Sequence, residues 1–207
     1  EAFVHGAMCM SYSGKCTISN YTTGRDANKG SCAQSCRWKY TLMEENNGEY
    51  TQVVDNIDPD FFFNTKDLCM IEYIPQIFDA GITSLKIEGR MKTAYYVATT
   101  VRAYRMALDE YYKDPENWKF NPMWLEELKK GSHRDYSTGF FLDRPDENSN
   151  NYKSASYIRN YDFIGLVRGY DEESGLYIVE QRNKMSVGDK IEVIGPYKET
   201  MFTTIEE

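Results

Sequence analysis

The sequence predicts an α/β protein with a smaller all-β domain at its C-terminal end. Three observations carry that prediction. Apolar runs of strand length alternate with longer segments of helical period up to about residue 120. A polar stretch, DRPDENSNN, then breaks the pattern. Beyond it, short β-rich runs recur between turn signals. The boundaries fall at residues 1–120 for the α/β part, 121–151 for a helical connector and linker, and 152–207 for the small β domain.

EAFVHG reads as a strand with no turn or cap before it, so the chain is expected to be a fragment that starts inside a pattern. Residues 9–37 are dense in Gly, Ser, Asn, Asp and Cys and form a long irregular loop, a kind of segment usually held by a function or a ligand. FFFN (Phe61–Asn64) reads as a short buried strand. Asp67 then caps a helix over Leu68–Ala80, in which Pro75 predicts a kink or an early end. Gly81 stops that helix and ITSLKIEGR follows as a strand. Val97, Val101, Tyr104, Leu108 and Tyr111 recur three and four apart, which predicts a helix over Ala94–Tyr112. Strand and helix joined by short links is the rhythm of a parallel sheet. Asn121 and Pro122 open a short helix that ends near Gly131. YIRNY, FIGLVRGY, LYIVEQRN and KIEVIG are then separated by turns at DEESG and SVGD, as in a small antiparallel barrel or sheet.

The chain has 207 residues, with 24 Lys and Arg against 32 Asp and Glu, a net charge of -8. That sign opposes indiscriminate coating of nucleic acid, although residues 86–113 are locally basic. No apolar run has the length of a membrane span and nothing resembles a signal peptide, so a cytoplasmic protein without a membrane partner is expected. Five cysteines is an odd number that cannot close fully into internal disulfides, which favours a reducing compartment.

Those cysteines pose the main chemical question. Cys9, Cys16 and Cys32 lie among glycines and polar residues, not on a periodic apolar face, so core packing explains them poorly. Cys36 alone suits a small buried hydrophobe as well as a ligand. Zinc sites favour close pairs, and only Cys32 and Cys36 approach that spacing. The run fits neither a zinc knuckle nor the tight ferredoxin pattern, and an iron–sulfur cluster and zinc both stay open. If the sheet is parallel, Cys9 past the first strand and Cys69 at the start of the next helix fall on one face. A loop returning across that face brings Cys16 and Cys32 to them. Four thiolates converging there repel one another, which favours a metal among them.

EAFVHGAMCMSYSGKC, GRDANKGSCAQSCRWKY, FNTKDLCMIEYIP and SLKIEGRMK resemble the signature blocks of the peptidase U32 family, the collagenase-like proteases, over about residues 1–112. The blocks are most similar to the branch that hydroxylates the wobble uridine of tRNA, and the tail resembles the small β-barrel of that branch. The resemblance implies the C-terminal half of a (β/α)8-type barrel, with the other half preceding residue 1. It implies tRNA as partner, a [4Fe-4S] cluster, and prephenate, a small aromatic precursor, as the associated metabolite. Carried over residue by residue, the wide ligand pattern gives Cys9, Cys16, Cys32 and Cys69, and a related pattern brings in Cys36. A half-barrel leaves strand edges unpaired, so an oligomer or a further segment supplying the missing half is expected.

Other candidate residues come from the same stretches. Lys86, Glu88 and Arg90 share one side of SLKIEGR, where they suit carboxylate or phosphate binding and proton donation by Glu88, or else a salt-bridge network. Lys92 belongs either with them or to a solvated helix. His5 is a general-base candidate or a core histidine. Arg37 and Trp38 offer a basic and aromatic pair able to stack on a base. The sequence has no G-x-S-x-G elbow and no H-E-x-x-H motif. A Cys9 nucleophile activated by His5 is the remaining hydrolase arrangement. It leaves the other cysteines without a purpose, so peptidase activity ranks below hydroxylation. A non-enzymatic module, with the β domain gripping RNA or protein, is the third class. Seven Lys and Arg against ten Asp and Glu from residue 149 on weaken its RNA version.

Overall fold

The computed structural model describes residues 1–12, 14–41, 43–52, 61–196 and 199–206. The chain divides into two units, Glu1–Ile158 and Arg159–Glu207.

The first unit is built on four strands: β1 (Ala2–Ala7), β4 (Asp67–Cys69), β5 (Leu85–Ile87) and β6 (Tyr136–Ser137), in the order β5-β1-β4-β6. Strand β1 runs parallel to β5 and β4 parallel to β6, but β1 and β4 are antiparallel, with His5 opposite Cys69. The expected parallel half-barrel is therefore not formed, and none of the sheets among the described residues closes. The reason lies in the β1–β4 connection. Its described residues hold the short α1 (Ile18–Thr23), two 3-10 turns and a hairpin of β2 (Met43–Asn46) and β3 (Glu49–Gln52), and among them there is no crossover helix of the kind a parallel neighbour requires.

Two local expectations change with it. Phe61–Asn64 is a turn and not a strand. Asp67 is not a helix cap: it begins β4, and the helix that follows is α2 (Ile74–Asp79), with Pro75 in its first turn where a missing N–H costs nothing. Helix α3 (Ala94–Lys113) is capped by Thr93, whose hydroxyl accepts from the Tyr96 N–H. Helix α4 (Pro122–Lys129) is capped by Asn121. The core lies between the sheet and these helices: Val4, Leu68, Ile71, Ile74 and Ile77 pack with Ala103, Tyr104 and Ala107 of α3 and with Trp124 and Leu128 of α4.

The second unit holds two antiparallel hairpins, β7 (Gly165–Asp171) with β8 (Leu176–Gln181), and β9 (Lys190–Val193) with β10 (Met201–Thr204). They form two separate two-stranded sheets, so the expected β-barrel is not seen either. Nearly every residue of β7, β8 and β10 keeps substantial solvent exposure, and two hairpins with so little buried surface enclose no interior. No helix among the described residues is long and apolar enough to cross a membrane.

Candidate functional site

The loop after β1 folds on its own hydrogen bonds. Ser19 Oγ donates to the Arg25 carbonyl and accepts from the Ala33 N–H, Thr22 and Ser35 share a hydroxyl bond of 2.7 Å, and Asn28 Nδ2 donates to the Cys16 carbonyl. The Arg90 guanidinium lies against Gly30, where an added Cβ would stand 2.7 Å from its Nη1, so the β5 end also braces the loop. Gln34 sits at φ 55°, in the left-handed region that a residue with a Cβ seldom adopts. Strain of this kind collects at functional sites.

Cys9 and Cys32 are exposed, Cys16 and Cys36 half-buried, and Cys69 buried. Backbone N–H groups point at two of the sulfurs, Ser11 N–H to Cys9 Sγ at 3.4 Å and Gln34 N–H to Cys32 Sγ at 3.2 Å. Burial pushes the Cys36 thiol up and the Arg37 guanidinium pulls it down. Cys9, Cys32 and Cys16 push it up further, so each of those three sulfurs stands within electrostatic reach of Cys36. Cys69 lies elsewhere. It is a strand residue opposite His5, and burial raises its thiol to about 11 against the Ile71 N–H and the Tyr104 hydroxyl, which lower it. Placing Cys69 with Cys9 on one face required parallel strands, and β1 and β4 are antiparallel. Among the described residues no group of three or more His, Cys, Asp or Glu side chains is arranged to hold a metal ion. The expected [4Fe-4S] cluster on Cys9, Cys16, Cys32 and Cys69 does not fit this arrangement.

Beneath the loop is a buried polar layer. His5 is 1 % exposed, with Tyr96, Tyr104 and Tyr136 around its ring and no hydrogen-bond partner on either nitrogen. Burial first, then the positive fields of Lys92 and His133, lower its pKa to about 3, which keeps the imidazole neutral. Neither histidine has a hydrogen bond to a cysteine among the described residues, so no Cys9–His5 dyad is assembled. Asp67 accepts from the Arg134 N–H at 3.0 Å and pairs with its guanidinium at 3.4 Å. Lys92 donates to the Ser132 carbonyl and stands 3.7 Å from the Tyr157 ring centre, on which Arg134 also stacks.

The remaining candidates do not converge. Lys86 pairs with Glu1 at the surface and covers Phe3, whereas Glu88 turns to the N–H of Arg90. Trp38 is 45 % exposed at the end of the loop. Arg37 is half-buried and bonded to Met8, Asn64 and Thr65. Sequence reasoning missed Asn64, Asp67, Arg134 and Tyr157. The adjacent His133-Arg134 pair was the available signal for Arg134 alone.

Comparison with known proteins decides the family. The pattern described as "Peptidase family U32" matches residues 1–151, and "Peptidase family U32 C-terminal domain" matches residues 159–207. The chain belongs to peptidase family U32. This U32 chain is 45 % identical over its whole length to "tRNA hydroxylation protein P1" of Bacillus subtilis, of which it covers 49 %. It is 31 % identical over 98 % of its length to "tRNA hydroxylation protein P" of Escherichia coli, covering 53 % of that protein. It is also 32 % identical over its whole length to "Collagenase" of Porphyromonas gingivalis, covering 49 %. The chain thus spans about half the length of the curated relatives it matches. No solved structure matches it. The family description and the collagenase names overturn the ranking of peptidase activity below hydroxylation.

Proposed function

We propose that the U32 chain is the part of a tRNA-hydroxylating protein that carries its thiol-lined loop, and that the wobble uridine is the target. One observation carries this reading: identity of 45 % over 206 residues, the whole length of the chain, to a relative named for tRNA hydroxylation. The site is the loop of Cys9, Cys16, Cys32 and Cys36, with exposed Trp38 as a face on which a base stacks. Neutral His5 and the Asp67–Arg134 pair are buried groups of the strands beside that loop, and Arg90 lies against its Gly30. Prephenate as associated metabolite belongs to the same reading and rests on the resemblance of the loop blocks.

Peptidase activity is the competing reading and does not rank below the first, since it is favoured by a family description that covers both units and by a collagenase-named relative aligned over the entire chain. One pair of experiments separates them. Mass spectrometry of tRNA from a strain lacking the gene reports whether the wobble uridine loses one oxygen atom, and incubation of the pure protein with gelatin reports cleavage. Loss of the oxygen without cleavage supports the first reading, and cleavage with unchanged tRNA the second. Unchanged tRNA without cleavage favours a binding module.

A further inference from the structure

Cys9 and Cys36 are far apart in sequence, yet the residues beside them are bonded to each other. Arg37, next to Cys36, donates from Nη2 to the carbonyl of Met8, next to Cys9, at 2.6 Å. The same guanidinium donates from Nη1 to Asn64 Oδ1 at 2.8 Å and to the Thr65 carbonyl at 2.7 Å. Thr65 Oγ1 adds a second bond to the Met8 carbonyl, at 2.9 Å. Asn64 is fully buried and is fixed in turn by Nδ2 donation to the carbonyls of Asn151 and Ser154. Three segments of the chain therefore meet on one planar cation.

Charge-assisted bonds are the stronger class, and the fork geometry of arginine lets one side chain hold several acceptors at fixed angles. A lysine in its place offers a point charge and holds fewer of them. We propose that Arg37 is the positioning residue of the thiol group, a clamp that keeps Cys9 beside Cys36 whether or not anything is bound to them. Its two terminal nitrogens are committed to Met8, Asn64 and Thr65, so its role is to shape the loop and not to contact substrate. Cys32 and Cys36 lie only four residues apart in the chain and depend less on the clamp, which makes them an internal control.

The test uses full-length protein, reduced and treated with chelator, with dibromobimane as probe. Two thiolates each displace one bromide, so two C–S bonds form, two bromides leave, and nothing is oxidised. Peptide mass spectrometry then gives the ratio of Cys9–Cys36 to Cys32–Cys36 bridges. Arg37→Gln lowers that ratio by about tenfold and Arg37→Lys by less, the scale of losing one or two charge-assisted bonds. Thr65→Val, which keeps the arginine and removes one bond to Met8, lowers it by about twofold to threefold. An unchanged ratio in folded Arg37 variants overturns the proposal. So does an equal fall of both bridges, which marks general loosening of the loop. If the Arg37 variants do not fold, Thr65→Val decides alone, and an unchanged ratio there overturns it.

Discussion

Lowering the pH should destabilise the first unit through His5. Free histidine titrates at 6.5, whereas His5 is held down to about 3 by burial and by the fields of Lys92 and His133. Above pH 6.5 the imidazole is neutral in both folded and unfolded chains, and it contributes no pH dependence. As pH falls below 6.5 the unfolded chain takes up a proton that the folded chain refuses, so stability is lost progressively until the folded pKa is reached. Each pH unit in that window is worth about 1.4 kcal/mol, so going from pH 6.5 to pH 5 costs about 2 kcal/mol. His5→Leu removes this slope, and because both ring nitrogens lack partners it also removes two unsatisfied buried polar groups. The assay is urea unfolding of both proteins at several pH values, since carboxylates common to both cancel in the difference. The chain has only two histidines, so their ring proton resonances give a direct check. The His5 signal should stay at its neutral position down to about pH 4. A His5 midpoint near 6.5, or parallel pH profiles for the two proteins, would refute the reasoning.

Three other outcomes follow from the same structure. Glu127 is buried and pairs with Arg102 at 2.7 Å and Lys130 at 2.6 Å, so Glu127→Ala removes two charge-assisted bonds where α3 meets α4 and costs about 3 kcal/mol in urea unfolding. Gly6 sits at φ 115°, with an added Cβ only 2.5 Å from the Glu88 carbonyl oxygen. Gly6→Ala should therefore part β1 from β5, lower the melting temperature and cost about 1–3 kcal/mol. Iodoacetamide should label exposed Cys9 and Cys32 within minutes, whereas buried Cys69, with its thiol raised to about 11, reacts only on unfolding. Peptide mass spectrometry at increasing urea reads this directly.

Local signals were legible in the sequence and long-range pairing was not. The Asn121-Pro122 start of α4 is a side-chain cap, and such bonds are written in adjacent residues. The period that marks α3 was also present and its later turns were read in phase, with Tyr104, Leu108 and Tyr111 on the core, but the first turns were misread. Val97 and Val101 are exposed, whereas Tyr96, Thr99, Thr100, Ala103, Tyr104 and Ala107 face inward. Small and hydroxyl side chains pack closely against the sheet, and an apolar count passes over them. Strand direction was the larger error. Nothing in DLC or AFVHGA distinguishes a parallel from an antiparallel neighbour, and the choice depends on what lies between them. The argument that set Cys69 on one face with Cys9 rested on the same expectation of parallel strands. The loop cysteines were conspicuous because they fit no periodic face. The buried groups beside them were not, because Asp67, Arg134 and Tyr157 come from distant segments and meet only in the fold.

The most direct measurement of the account is the tRNA mass spectrum of a strain lacking the gene and its paralogues, complemented in turn with wild type, Cys9→Ser and Cys69→Ala. The account predicts that the wobble uridine loses one oxygen atom in the deletion strain. Wild type should restore it and so should folded Cys69→Ala, whose thiol is a core group, whereas Cys9→Ser should not. An unchanged spectrum in the deletion strain, or full restoration by Cys9→Ser, contradicts it.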